Sequence, residues 1–186
     1  MTRAYPRIGI SDAIFQLITD PERQWSDEDA MHCFEWVTNS ISDRIEALLK
    51  YLDIADDSMN DNALLLQVGK SVAEILPDSQ FSTEPRNNIF RIQGKKTLTS
   101  TGKLLGIDIG LLTANLLQNL SADLFWDINY EDEIDISFRH PVLAGFRTGE
   151  MYDPLVNPLT FTMRVLNKER PSDSWALSYQ DWKRYI

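Results

Sequence analysis

The sequence predicts an α+β fold in which an N-terminal helical bundle packs on a smaller C-terminal antiparallel sheet. Three observations carry that expectation. Apolar residues recur at helical spacing as far as Leu76, the period shortens to two in Glu133 to Arg139 and again in Thr160 to Val165, and a polar stretch holding Pro77 and Pro85 separates the two regimes. The expected organisation is a bundle over 1–76, a linker over 77–88 and an α+β subdomain over 89–186, together making one compact unit. With 43% hydrophobic and 25% charged residues the chain has the composition of an ordered globular protein rather than a disordered tail.

The elements follow in order. Ser11 is placed to cap a short helix that carries Ile14, Leu17 and Ile18 on its apolar face and stops at Pro21. Ser26, with Asp29 three residues on, makes a capping-box start, after which Ala30, Phe34, Val37 and Ile41 repeat at i, i+4, i+7 and i+11. The stripe continues through Ile45, Leu48, Leu49 and Leu52, and Thr38-Asn39-Ser40 leaves open whether this is one helix or two. A further helix from Asn60 to Leu76 carries Leu64, Leu65, Val68 and Val72 and is closed by Pro77.

Beyond the linker, Ile89 to Gln93 reads as a short strand and Lys103 to Leu120 as an apolar helix. Alternation in Glu133 to Arg139 puts Ile134, Ile136 and Phe138 on the buried face of a strand, and Thr160 to Val165 repeats it with Phe161, Met163 and Val165. From Ser174 the tail fits a helix through Trp175, Tyr179, Trp182 and Ile186 and equally a strand through Trp175, Leu177 and Tyr179.

Charge is distributed unevenly. Between Leu104 and Phe138 stand seven acids and no Lys, Arg or His, which supplies most of the net charge of −10. Asp123, Asp127, Glu131, Asp132, Glu133 and Asp135 form a phosphate-like array with Trp126 and Tyr130 as aromatic anchors, a pattern that attracts a basic protein by its field and holds it by contact. The same charge argues against direct binding to nucleic acid or anionic lipid, since both require a cationic face; the densest basic group is Arg86, Arg91, Lys95, Lys96 and Lys103. No apolar run is long enough to span a membrane, and the start Met1-Thr2-Arg3 lacks a secretory leader, so the expected location is cytoplasmic. Cys33 alone permits neither an intrachain disulfide nor a cysteine-cluster metal site.

Chemistry-bearing motifs are sparse. His32 and Cys33 are helical neighbours pointing about 100° apart, so they do not form a thiol and base pair. His140 follows the acidic segment, where Asp135 or Glu133 could orient it as a base, but no nucleophile accompanies it. Pro77-Asp78 with Gln93-Gly94-Lys95 is similar to a magnesium-nuclease pattern, with Gln93 in place of the second carboxylate. Gly102-Lys103-Leu104-Leu105-Gly106-Ile107-Asp108, followed by Leu112 and Leu116, resembles a helix-turn-helix of the Fis-like or resolvase-like kind over residues 97–120. That resemblance implies a turn at Gly106 and a recognition helix over Ile109 to Leu120. This second helix has no Lys or Arg to meet phosphate, so a buried pair of helices with a tight turn at Gly106 is expected instead.

The expected function is therefore a non-enzymatic, acidic protein-binding inhibitor, of the immunity-protein or anti-defence, anti-CRISPR-like kind. It would occlude the basic surface of a nuclease or other nucleic-acid-binding complex, with no cofactor, no metal and no catalytic residue. An accessory or structural subunit carrying the same surface is the alternative, and a degenerate helix-turn-helix regulator the third.

Overall fold

Residues Leu104 to Ala114 are buried without exception, and this determines the architecture. A helix with no polar face belongs inside a core. Helix α4 (Ser100–Gln118) accordingly runs through the middle of the molecule, and in the computed structural model every other helix touches it: α1 (Asp12–Thr19), α2 (Asp27–Tyr51), α3 (Asp61–Ile75), α5 (Asn157–Leu166) and α6 (Ser174–Lys183). The structure describes residues 3–20, 24–55, 59–84, 95–131 and 133–186. Two small antiparallel sheets complete it, so the fold is α+β. β1 (Ser82–Thr83) pairs with β2 (Thr97–Leu98), and β3 (Phe125–Ile128) pairs with β4 (Pro141–Ala144) in the register Phe125 to Ala144 and Ile128 to Pro141.

The helix starts are set by local chemistry. The Ser11 and Asn60 side chains accept the backbone N–H three residues on, at 3.2 and 2.9 Å, and Ser26 and Asp29 form the reciprocal capping box. α2 is one helix: the Thr38 and Ser40 hydroxyls donate to the Phe34 and Trp36 carbonyls at 2.9 and 2.6 Å, satisfying themselves within the helix instead of breaking it. α4 also passes through Gly106 without a turn, and the tail is the helix α6. At Gly110 the backbone of α4 lies against Pro154 and Pro158, and any Cβ there would meet the Pro154 carbonyl oxygen.

Two predicted strands are corrected. Glu133 to Arg139 is a succession of turns, with Ile134 93% and Ile136 72% exposed, so its alternation does not mark a buried sheet face. Thr160 to Val165 lies inside α5, where Pro158 in the first turn favours helix and Leu159, Thr162 and Val165 make a three-residue spacing that the period-two reading overlooked. The sheet forms instead from the segments flanking the acidic turns. The predicted strand Ile89 to Gln93 lies outside the described residues, as do Pro21, Arg86, Arg91 and the Gln93-Gly94 half of the nuclease-like pattern.

One polar cluster is embedded in the core. Arg44 interrupts the apolar stripe of α2 and Asp108 that of α4, and the two meet: Arg44 Nε donates to Asp108 Oδ1 at 2.9 Å and its Nη2 bonds Oδ2. The Tyr5 hydroxyl donates to the same carboxyl at 2.5 Å, and Arg44 Nη1 donates to the Pro6 and Ile8 carbonyls, which fastens the N-terminal segment over α2 and α4. Burial pushes the Asp108 carboxyl above its usual range, opposed by the Arg44 guanidinium and the Tyr5 hydroxyl. Asp108, counted in the acidic block by sequence, therefore contributes nothing to the surface.

Candidate functional site: an acidic loop beside a histidine cleft

The β3–β4 connection is ordered by its own polar groups. Buried Asn129 donates from Nδ2 to Ser137 Oγ at 2.8 Å and accepts the Glu131 N–H at 3.0 Å. The Ser137 hydroxyl and N–H both donate to Asp135 Oδ1, at 2.8 and 2.7 Å. These bonds hold the Asp135 carboxyl below the usual range, the backbone bond contributing most. The Tyr130 and Phe138 rings meet edge to face at 6.1 Å. At the far end Arg139 sits at φ +66°, a left-handed conformation costing a non-glycine residue roughly 1–2 kcal/mol. It is held there by its N–H on the Asn129 carbonyl and by its guanidinium on Asp27 Oδ1 and the Trp25 carbonyl, both at 2.8 Å.

This framework sorts the predicted site residues. Asp123, Asp127, Glu131, Glu133 and Asp135 are exposed, and Asp132 lies outside the described residues. Tyr130 is half exposed. Trp126 points the other way: the strand alternation directs it and Ile128 inward, where its indole N–H donates to Gln118 Oε1 at 3.2 Å, while Phe125 and Asp127 face out. Trp126 thus anchors the hairpin to α4 more than it serves a surface. Phe125, Ile134 and Ile136, which the sequence interleaves with the acids, are exposed, although period-two alternation also places Ile134 and Ile136 on a buried strand face.

The loop forms one wall of a cleft of about 520 Å³. Glu133, Asp135, Ile136 and Phe138 face the end of α1 (Leu17 to Thr19), Lys103 of α4, and the start of α5 at Leu155, Val156 and Leu159. His140, 9% exposed, is set into the wall beside Trp25, their rings 4.3 Å apart. Its partner is Asp153, not Asp135 or Glu133: Nδ1 lies 2.9 Å from Asp153 Oδ2, while Oδ1 accepts the N–H groups of Leu155 and Val156 at 2.6 and 3.1 Å and so caps the turn into α5. A carboxylate accepts only, so Nδ1 carries a proton, which makes Nε2 the acceptor in the neutral form of the ring.

Chemically, the cleft can accept a hydrogen bond or a proton at Nε2. Thr19 is the one hydroxyl side chain on its described walls, and it donates to the Phe15 carbonyl at 2.6 Å. Lys103 and Arg139, the two cations among the described lining residues, are bonded to the Thr19 carbonyl and to Asp27. Of the remaining basic side chains, Lys95 pairs with Glu169 and Lys96 bonds the Pro77 carbonyl. Cys33 is fully buried, and burial raises its thiol well above the usual range. Among the described residues no group of three or more His, Cys, Asp or Glu could hold a metal ion, and no helix is long and apolar enough to cross a membrane. No significant match was found among protein-family models, curated proteins or solved structures.

Proposed function

We propose that the chain is a non-enzymatic protein-binding inhibitor that docks its acidic loop, residues 129–139, and the outer face of β3 onto a cationic protein surface. The observation that carries this reading is the exposure of Ile134 and Ile136, 93% and 72%, in a self-bonded loop studded with exposed carboxylates. Carboxylates alone are satisfied by water, whereas isoleucine side chains this exposed bury little apolar surface in the fold and gain when a partner covers them. The acidic field brings a basic surface in, and the apolar side chains hold it once water is excluded. Because the described residues of the loop are tied by their own hydrogen bonds, less conformational entropy is lost on docking. The partner class that best complements such a surface is a nuclease or other nucleic-acid-binding protein, whose phosphate-binding groove the loop would occlude.

The test is capture from a lysate of the source cells at low and high salt, comparing the native chain with Asp127→Lys/Glu131→Lys. A cationic protein retained by the native chain and lost both in high salt and with the charge reversal supports the reading. Identical captures by both chains at both salts overturn it.

A further inference from the structure

The cleft beside the loop has a chemistry of its own. His140 is about nine-tenths buried and presents Nε2 to the cleft with no protein partner among the described residues, its other nitrogen being fixed on Asp153. Asp135 and Glu133 stand on the same cleft wall as Ile136 and Phe138. The two cations among the described lining residues, Lys103 and Arg139, are committed to internal bonds. A ligand for this site therefore brings hydrogen-bond donors to an imidazole acceptor, positive charge to the exposed carboxylates of the lining (Asp20, Glu133 and Asp135), and a flat or aliphatic stem to the apolar walls.

We infer that the cleft receives an alkyl-guanidinium group, the side chain of an arginine on the docking partner. A guanidinium has five N–H donors in a planar fork, enough to serve a carboxylate and the His140 Nε2 together, and its weakly hydrated faces pack well on aliphatic and aromatic walls. A lysine ammonium, a compact and strongly hydrated charge, matches the flat walls less well. The assignment rests on the docking reading only for the source of the side chain; the pocket chemistry is independent of it.

The experiment is a titration of the full chain with N-acetyl-L-arginine methylamide, following the His140 ring and Trp25 indole signals by NMR. N-acetyl-L-citrulline methylamide, isosteric but uncharged, is the control. Saturable shifts at both residues are expected at millimolar probe, with citrulline at least about tenfold weaker, and Glu133→Gln/Asp135→Asn weakening the arginine probe by about tenfold. Both substitutions are at exposed positions, and the citrulline comparison needs no variant. No shift at 20 mM arginine probe (roughly the weakest binding of use), or equal shifts with citrulline, overturns the inference. Asp123→Lys/Asp127→Lys, outside the cleft, separates the two claims. If it abolishes partner capture while the arginine probe still binds, the cleft stands on its own; if partner capture persists but the probe fails, the arginine assignment alone falls.

Discussion

At the level of single residues, two buried or bonded acids behave in opposite ways. Asp108 is closed inside the core with Arg44 and Tyr5, so removing it leaves a guanidinium buried with no counter-charge. Asp108→Ala is expected to destabilise the fold by about 3–5 kcal/mol, read as a lower urea midpoint, because breaking one side of a buried pair costs more than the pair contributes. Asp135 is exposed, and its carboxyl is held below the usual range by Ser137. Its folded-state pKa is depressed, so its contribution to stability is present above the unfolded value near 3.9 and is lost as pH falls through the lower folded value. In a carboxyl NMR titration Asp135 should show a midpoint below that of an ordinary aspartate, and Ser137→Ala should move it upward; an unchanged midpoint in the variant would mean that the loop network does not persist in solution. Sequence held a clue to the Arg44–Asp108 pair and none to the pairing of His140 with Asp153. Arg44 and Asp108 each break an apolar helical stripe, and two such breaks of opposite sign imply a partner apiece. Asp153, thirteen positions from His140, follows no local pattern, which is why Asp135 and Glu133 looked the better candidates.

Between elements, packing depends on close approach along α4. Gly110→Ala would place a methyl against the Pro154 carbonyl and 2.5 Å from Pro158 Cγ, neither of which can rotate away. The expected cost is about 1–3 kcal/mol, as for overpacking elsewhere, with a lower melting temperature as the readout. Wild-type stability in this variant would mean that α4 and α5 pack less closely than described. The starts near Ser11, Ser26 and Asn60 were legible, each side chain serving an N–H three residues on, whereas Thr99 caps α4 by the same kind of bond and the apolar pattern alone starts that helix late, at Lys103. The central helix was legible because its apolarity is continuous. The sheet was not, because period-two alternation over six or seven residues does not distinguish a strand from turns that expose every apolar residue, or from a helix whose first-turn proline is the better sign. β3 alternates in burial but not in hydropathy, since Phe125 faces out, and all four residues of β4 are buried, so neither strand announces itself by period-two hydropathy.

For the molecule as a whole, net charge was legible and its display was not. Composition showed an acidic block, but only the fold separates Asp108, buried against Arg44, from the carboxylates arrayed at the surface, and only the fold turns Trp126 inward while turning Ile134 and Ile136 out. On the proposed docking reading, these exposed apolar side chains contribute to binding far more than to folding. Ile134→Ser/Ile136→Ser should leave the melting temperature unchanged, since substitutions at such exposed positions usually fall within about 0.5 kcal/mol. If a partner buries both side chains, the same change should cost roughly 3 kcal/mol of binding, on the order of a hundredfold in Kd. The most direct measurement is therefore a calorimetric titration of the captured partner with the native chain and with Ile134→Ser/Ile136→Ser, alongside their melting temperatures. Binding weakened about a hundredfold at equal stability is the predicted result, and equal affinity of the two chains would contradict a docking role for the loop.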